Sequence, residues 1–446
     1  MSERKTLVQH ALTVLIGQLA VITFGVTDTV VMGRYDPTAL AALAVGSAVY
    51  ISVYVALLGV MQAMLPVLAE SHGAKSPYKI GNQFHQGFYL LIVLSILGMF
   101  VLLSPDFVLQ WAEVPQELNH DVNNYLMLLA MALPATLFFR LFSTLNQSIG
   151  SPKVVSQIQV IALLIKIPIT IFLALGLGLI IPQGLQGCAL ASLIVNYGML
   201  FVSIWLLKNS PLYQSYGIWR KLSPPEWKEI SHIAKLGIPN GLSVTVEVTS
   251  FTMMALFIAK MGIAASASHQ VAANLAALLY MVPLSFSIAT SARASYWIGA
   301  KNNQMAKQSI LTGFQLLMGI SLTLSTLLWF LQDPIALMYV GNSNFLGQTS
   351  QLIGLVAIYH LVDALQTLSF FALRSLKITI KPFIIYTALL WGMGLAGGYS
   401  LAYEQELIFY QSPAAFWFSS STALFLVSLC LILLLRHELN RLLTKS

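Results

Sequence analysis

Three carboxylates lie inside stretches of the chain that are otherwise apolar. They are Asp28 in GVTDTVVMGR, Glu247 in SVTVEVTSFTMMALFIA and Asp363 in IYHLVDALQT. An ionisable group at the centre of a bilayer helix costs at least ~2.5–3.5 kcal/mol, so such residues mark ion or substrate sites by default. A protonated acid, or one bonded to a serine or threonine, is the alternative for each. Buried carboxylates of this kind can bind Na+, protons or organic cations.

A tyrosine next to Asp363 could complete an ion site. Tyr359 lies four residues earlier on the same helix face, so its hydroxyl could donate to the carboxylate or help to ligate a cation. Na+ also needs several further oxygens, at ~2.3–2.5 Å by analogy with calcium sites. Glu247, Asp363 and Tyr359 are therefore candidate Na+ ligands. The residues leave the choice between Na+ and H+ open.

Two basic residues also interrupt apolar stretches. Lys166 in LLIKIPITIF is mid-stretch, and Pro168 frees backbone groups close to it. The lysine could pair with Asp28, line a cavity in the N-terminal half, or extend its ammonium to the interface. Arg140 in LFFRLFSTL is nearer the end of its stretch. We expect it to extend to the interface or to pack against another helix.

Methionine and aromatic side chains accompany the acids, and Met254 and Phe251 follow Glu247 within two turns of a helix. Such residues are more often ordinary packing. In a cavity with acidic groups, however, the same adaptable side chains suit flat, apolar cations through dispersion and cation–π contact. They are candidates for a substrate-binding wall.

The elements that must position these residues are membrane helices. The chain has 446 residues, 57% hydrophobic and 9% charged, against ~25% charged in soluble proteins. Runs of ~20 apolar residues are long enough to cross a hydrocarbon core of ~30 Å. Such runs predict an all-α polytopic membrane protein with twelve transmembrane helices, at approximately 9–33, 39–69, 86–104, 122–147, 154–181, 186–207, 236–262, 268–294, 309–331, 350–373, 382–403 and 413–435.

Charge placement predicts the orientation of these helices. If the N-terminus is cytoplasmic, 19 of the 23 lysine and arginine residues fall on the cytoplasmic side. Loops on the other side carry acids such as Asp36, Asp121 and Asp333. Both termini are therefore expected in the cytoplasm. The net charge of +7 is a topology signal and an anchor at anionic lipid headgroups, and we expect no nucleic-acid partner.

The longest loop divides the chain into two lobes of six helices. We predict an N-terminal lobe at 1–207, a cytoplasmic linker at 208–235 and a C-terminal lobe at 236–446. Counted into their spans, Glu247 and Asp363 both fall near the bilayer midplane at ~1.5 Å per residue, so they could share one site.

Short motifs recur between the lobes at one offset. GAK occurs at 73–75 and 299–301, and GF at 87–88 and 313–314, each pair 226 residues apart. Six helices per lobe is an even number, so the repeats are parallel and related by a pseudo-two-fold axis along the membrane normal. None of the three buried acids recurs at this offset, which favours a specific task over a scaffold role.

Four segments resemble the multidrug and toxic compound extrusion (MATE) transporters, closest to the NorM-type branch. They are VTDTVVMGR, GIPNGLSVTVEVTSF, ASHQVAANLAALLYMVP and YHLVDALQTLSFFALRSLK, and the likeness covers essentially the whole chain. The resemblance implies a V-shaped fold, a bacterial inner-membrane location and export of organic cations in exchange for Na+ or H+.

The same resemblance implies roles for individual residues. Glu247 and Asp363 would be the cation-coupling carboxylates with Tyr359 beside the ion. The family's first-helix aspartate, residues near the ion or drug, and a polar group of the drug site would then be, in turn, Asp28, Phe251 with Tyr280, and Gln270. The other bacterial branch has an acid in the fifth span, where this chain has Lys166. That difference favours coupling in the C-terminal lobe.

We therefore expect a monomeric secondary antiporter for multidrug efflux, without a cofactor beyond its coupling ion. A flippase for lipid-linked oligosaccharide is the alternative, but its anionic cargo would require a strongly basic cavity. A membrane-embedded enzyme is a third class. The sequence contains no G-x-x-x-x-G-K-[ST], H-E-x-x-H or G-x-S-x-G motif that would support nucleotide hydrolysis or hydrolytic catalysis.

Overall fold

The computed structural model describes residues 2–105, 116–176, 182–219, 222–404 and 409–444. Within these ranges no strand occurs, and twelve helices are long and apolar enough to cross a membrane, which confirms the predicted fold class. We number them α1 to α12: Glu3–Tyr35, Pro37–Gly73, Pro77–Leu103, Glu117–Ser148, Pro152–Leu175, Gly184–Asn209, Trp227–Ala259, Ile263–Gly299, Asn303–Phe330, Leu346–Ser375, Ile380–Tyr403 and Ala414–Thr444.

Several helices extend beyond the apolar runs that predicted them. The first begins at Glu3 and the seventh at Trp227, each well before the predicted start. The reason is that hydropathy marks only the part of a helix inside hydrocarbon, whereas backbone hydrogen bonding continues into polar residues. At α2 the start is sharp, because the Asp36 side chain accepts the Ala39 N–H at 2.9 Å and Pro37 occupies the first helical position.

The chain forms two compact units. Residues 13–241 make the N-terminal unit, and residues 242–446 together with 1–12 make the C-terminal unit. The helices α4 and α10 are the most buried of the twelve, one in each unit. The lobe and linker boundaries predicted from the sequence remain a prediction.

The two units repeat internal hydrogen bonds at nearly the offset seen in the sequence. In the N-terminal unit the Ser148 hydroxyl donates to the Leu65 carbonyl at 3.0 Å. In the C-terminal unit the Ser375 hydroxyl donates to the Ser291 carbonyl at 3.3 Å. Each bond ties the end of the most buried helix to the helix two before it in its unit. The repeat is therefore structural as well as sequential.

A loop after α6 is fastened to the N-terminal unit through α3. The Nδ1 atom of His85 accepts the Ser223 N–H at 3.1 Å, and Nε2 lies 2.9 Å from the Ile218 carbonyl. One helical position on, the Gln86 side chain accepts the Glu226 N–H at 2.8 Å. Because these bonds engage the backbone of the loop, they fix its path whatever its side chains are.

The first residues of α1 are fixed in the C-terminal unit by an ion pair. Arg293 on α8 donates to both Glu3 carboxylate oxygens, at 2.9 and 2.6 Å. The Trp297 indole and the Ser309 hydroxyl donate to the same carboxylate at 3.2 and 2.7 Å. This four-residue cluster satisfies a carboxylate that would otherwise open the helix, and it anchors the start of α1.

Candidate functional site

Two carboxylates from different helices of the C-terminal unit form one cluster. Glu247 lies in α7 and Asp363 in α10, and each lies within electrostatic range of the other. Asp363 is buried, and its Oδ1 accepts the Thr367 hydroxyl at 3.5 Å. Glu247 is half-buried. The fold thus brings together two acids that are more than a hundred residues apart in sequence.

Three tyrosines surround the two carboxylates. Tyr359 and Tyr280 each interact electrostatically with both Glu247 and Asp363. Tyr386, on α11, hydrogen-bonds to Glu247 and also lies within electrostatic range of Asp363. A phenol can donate to an anion or offer its oxygen to a cation. The cluster is therefore rich in oxygen, from two carboxylates and three hydroxyls.

An aromatic wall holds Tyr359 in place. Its ring meets Phe251 edge-to-face with centroids 6.1 Å apart, and Trp417 of α12 with centroids 5.4 Å apart. Phe251 and Trp417 also contact each other at 5.9 Å. The Trp417 indole donates to His269 at 3.3 Å. Because such edge contacts fix ring orientation, the Tyr359 hydroxyl has a defined direction.

The remaining residues predicted for this site have different surroundings. Met254 is buried on α7, where it packs in the helix interface. Gln270 is exposed, and its amide donates to Asn274 on its own helix at 3.2 Å. His360, next to Tyr359, is buried, and its Nε2 has no hydrogen-bond partner among the described residues. The fold joins Phe251, Tyr280 and Tyr359 to the acids, and it leaves Gln270 outside that cluster.

Helix α11 contributes residues that the sequence did not single out. Besides Tyr386, the Trp391 indole donates to the carbonyl of Val246 at 3.2 Å, directly before Glu247. The helix widens to a π-helix at Leu390–Ala396, a distortion that is frequent at functional sites. The one sequence signal was a tyrosine mid-span in KPFIIYTALLWGMG, which is weak beside a carboxylate.

The N-terminal unit holds a separate ionic site. Lys166 Nζ on α5 lies 2.7 Å from Asp28 Oδ1 on α1, and both side chains are buried. The same ammonium donates to the Ser192 hydroxyl at 2.9 Å and lies 5.8 Å from the centre of the Phe24 ring. Of the alternatives for Lys166, the structure shows the pair with Asp28.

The two sites differ in how their charge is balanced. Asp28 has Lys166 as an internal counter-ion. Among the described residues, no lysine or arginine forms an ion pair with Glu247 or Asp363. Two carboxylates in a low-dielectric site repel each other unless a proton or cation neutralises them. The C-terminal cluster therefore has the chemistry of a cation-binding site.

These features define a class of protein. Within the described residues, twelve membrane-length helices fall in two units that repeat each other's hydrogen bonds. Parallel repeats with buried ionisable groups are typical of secondary membrane transporters. The chain is therefore a multi-pass transporter of this architecture.

Comparison with known proteins identifies the family. The family model described as MatE matches residues 14–172 and 239–399, so the chain belongs to the MatE family. A probable multidrug resistance protein NorM from Aromatoleum aromaticum is 36% identical over 440 residues, which cover 98% of this chain and 94% of that protein. A multidrug resistance protein MdtK from Photorhabdus laumondii subsp. laumondii is 29% identical over 418 residues, or 94% of this chain and 92% of the relative.

Solved structures show the same fold. A crystal structure of MATE in the straight conformation matches with a TM-score of 0.89 at 14% identity, and covers 100% of this chain and 98% of its own. The eukaryotic MATE transporter AtDTX14 matches with a TM-score of 0.86 at 17% identity, and the match covers 99% of each chain. The resemblance inferred from sequence is thereby confirmed, as is the prediction that the chain is a transporter and not an enzyme.

Proposed function

We propose that this MATE transporter exports organic cations from the bacterial cytoplasm in exchange for Na+ or H+, by alternating access. The observation that carries the proposal is the Glu247 and Asp363 cluster, where two buried carboxylates lie together without a basic partner. Relatives named as multidrug resistance proteins NorM and MdtK support a drug as the cargo.

Competition for the two carboxylates would couple ion to drug. Na+, H+ and a cationic drug each neutralise the same pair, so occupation by one weakens binding of the others. Entry of the coupling ion from outside then favours drug release on that side. The ion must bind the drug-releasing state better than the other state, because a ligand shifts an equilibrium only by its differential affinity.

Each neighbouring residue has a distinct part in this mechanism. Tyr359, Tyr280 and Tyr386 would offer hydroxyl oxygens to Na+ or hydrogen bonds to an ionised carboxylate. Phe251 and Met254 would contact the apolar body of the drug. The exposed Gln270 would contact the drug only at a distance from the acids, as a polar group nearer its entry.

Asp28 would act in a different way, because Lys166 already occupies it. Protonation of Asp28 would release the ammonium, and the freed lysine would change the charge of the N-terminal unit. Asp28 would therefore respond to protons without serving as a first ligand for Na+, and Lys166 would meet the substrate only after that release.

The whole chain would function as a monomer in the inner membrane, with both termini cytoplasmic and lipid as its surroundings. One chain carries both ionic sites, so no second copy is required to complete either. A flippase is not favoured, because an anionic headgroup would meet a carboxylate pair in the C-terminal unit, and the relatives are named for drug resistance.

Equilibrium competition on purified protein tests the shared site. Ethidium serves as the cationic probe, and Na+ or acid is the competitor. We expect Na+ or H+ to displace the probe from wild type and to lose that effect in the Glu247→Gln, Asp363→Asn double variant. Glu229→Gln, on the same helix as Glu247, is the matched control and should behave as wild type. Undiminished displacement from the double variant would contradict a shared carboxylate site.

A further inference from the structure

One buried cation in the N-terminal unit has no partner in the protein. Arg140 of α4 is 8% exposed, and its Nε is buried without an acceptor. None of the ion pairs or hydrogen bonds of the described residues uses its guanidinium, and its recorded electrostatic neighbour is the phenol of Tyr54. The sequence predicted that Arg140 would extend to the interface or pack against another helix, and the structure buries it.

An unpaired guanidinium at this depth is energetically costly. Removing one partner of a buried ion pair typically destabilises a protein by ~3–5 kcal/mol, because it leaves an uncompensated buried charge. Arg140 carries such a charge in the protein's own contacts. The one acid known to lie in the same ionic core, Asp28, is already neutralised by Lys166. An anion from outside the protein is what this arginine lacks.

An aromatic platform lies beside the guanidinium. The rings of Tyr50 and Tyr54 on α2 stack with centroids 5.7 Å apart and planes within 2°. Tyr54 interacts electrostatically with Arg140, and Tyr50 is hydrogen-bonded to Thr136, one helical turn before Arg140. Both rings are only half-buried, so part of their surface remains open to a ligand. Parallel aromatic faces of this kind suit a planar ring.

We infer that Arg140, Tyr50 and Tyr54 form a subsite for an aromatic carboxylate, which extends the substrates of this transporter from cations to zwitterions. The guanidinium fork matches a carboxylate in a bidentate geometry, and the adjoining rings receive the aromatic body. The inference rests on the proposed function for the identity of the cargo as a drug. It adds an anion-recognising group in the N-terminal unit.

A phosphate of a lipid headgroup offers the same oxyanion chemistry, but its depth argues against it. Arg140 lies eight residues before Ser148, the end of α4. At ~1.5 Å per residue that is ~12 Å along the helix, inside the span and away from its end. A small substrate that enters the protein can reach this position with its carboxylate, so we commit to the substrate.

Two dyes that differ by one ester provide the test. Rhodamine 123 is a methyl ester with a net positive charge, and rhodamine 110 is the corresponding free acid, a zwitterion with the same ring system. Binding is measured by fluorescence anisotropy on purified protein in phosphatidylcholine nanodiscs. We expect Arg140→Gln to weaken rhodamine 110 binding by about tenfold or more, the range of a hydrogen bond to a charged group, and to leave rhodamine 123 binding unchanged.

Further arms keep the test decisive if Arg140→Gln folds poorly. In wild type, benzoate should displace rhodamine 110 and spare rhodamine 123, and Tyr54→Phe should retain rhodamine 110 binding because the ring remains. Wild-type binding of rhodamine 110 should persist when phosphatidylglycerol is added to the nanodiscs. Displacement by that lipid would assign the site to headgroups and overturn the substrate subsite.

Equal loss of both dyes in Arg140→Gln, unchanged rhodamine 110 affinity in that variant, or failure of benzoate to compete would each overturn the inference. The readout needs no ion gradient. A failure of Na+ or H+ coupling at Glu247 and Asp363 would appear in the ethidium competition, so failures of the two proposals are distinguishable.

Discussion

At the residue scale, the two units stabilise a buried carboxylate in different ways. Asp28 has a fixed ammonium from Lys166, whereas Glu247 and Asp363 have hydroxyl groups nearby and share their negative charge. The first arrangement is complete within the protein. The second is completed by a cation from solution, which is the property an exchanger requires.

The ion pair of the N-terminal unit gives a first prediction. Lys166→Met should lower stability by ~3–5 kcal/mol, because it leaves Asp28 as an uncompensated buried charge. The double variant Lys166→Met, Asp28→Asn should recover most of that loss. Thermal unfolding of the purified protein measures both. A double variant as unstable as the single variant would show that the pair does not act as a unit.

Tyr386 gives a second prediction at the same scale. Tyr386→Phe removes the hydroxyl that bonds to Glu247 but keeps the ring. A hydrogen bond to a charged group contributes ~1.5–3 kcal/mol, so the coupling ion should compete with the probe about tenfold or more weakly. The matched control is Tyr399→Phe on the same helix, where the side chain is exposed. Identical competition curves for the two variants would remove Tyr386 from the site.

The sequence revealed the acids of the site more readily than their partners. Glu247 and Asp363 stand out because a carboxylate is costly in hydrocarbon and therefore rare there. Tyr386 and Trp417 do not stand out, because aromatic residues are common in apolar helices. Arg140 was misplaced for a related reason: its distance from the helix end is visible in sequence, but the neighbouring α2 that covers it is not.

At the element scale, a spacing of two glycines explains one conspicuous motif. In GIPNG, Gly237 and Gly241 lie four residues apart on α7, so both face the same neighbour. A Cβ atom on either would lie 2.6 Å from a backbone oxygen of α2, that of Val60 or Ala56. Small residues at this spacing let helix backbones approach closely, which is how the motif positions the start of α7.

The anchor of α1 gives a prediction with an internal control. Glu3 and Glu229 lie 226 residues apart at equivalent positions of the repeat, but only Glu3 has an arginine partner among the described residues. Glu3→Gln should lower stability by ~2 kcal/mol through loss of a partly buried charged cluster, whereas Glu229→Gln should stay within ~0.5 kcal/mol of wild type. Thermal unfolding compares the two. Equal effects would contradict a specific role for the Arg293 pair.

The repeated GAK motif also has a structural reason that sequence alone did not provide. Lys75 and Lys301 both adopt left-handed backbone conformations, with φ of 53° and 56°. Each ends the turn after the second membrane helix of its half and precedes the next helix. Such a conformation is uncommon for a residue other than glycine. Hydropathy predicted the existence of these helices, but their ends depend on turns of this kind.

At the scale of the whole molecule, a repeated scaffold carries chemistry that is not repeated. Hydrogen bonds and turns recur at an offset near 226 residues, but the ion pair, the carboxylate pair and Arg140 each occur in one unit alone. The number of helices and the parallel repeat could be predicted, because both follow from apolar length and charge placement. The grouping of side chains could not, because it depends on which helices pack together.

The proposed orientation gives a prediction for the intact cell. In a variant without the native cysteines, Cys188 and Cys430, single cysteines are placed at Thr444 near the C-terminus or at exposed Asn342 before α10. A membrane-impermeant maleimide should label Asn342→Cys in whole cells and Thr444→Cys only after the membrane is opened. Labelling of Thr444→Cys in intact cells would place the C-terminus outside.

The central claim is that Glu247 and Asp363 couple inward ion movement to outward drug movement. Its most direct test is ethidium transport by proteoliposomes, with Na+ and pH gradients imposed one at a time on wild type and on Glu247→Gln. Wild type should transport ethidium against its gradient when at least one of the two ion gradients is present. Glu247→Gln should show no gradient-driven transport with either ion, and full transport by that variant would contradict the account.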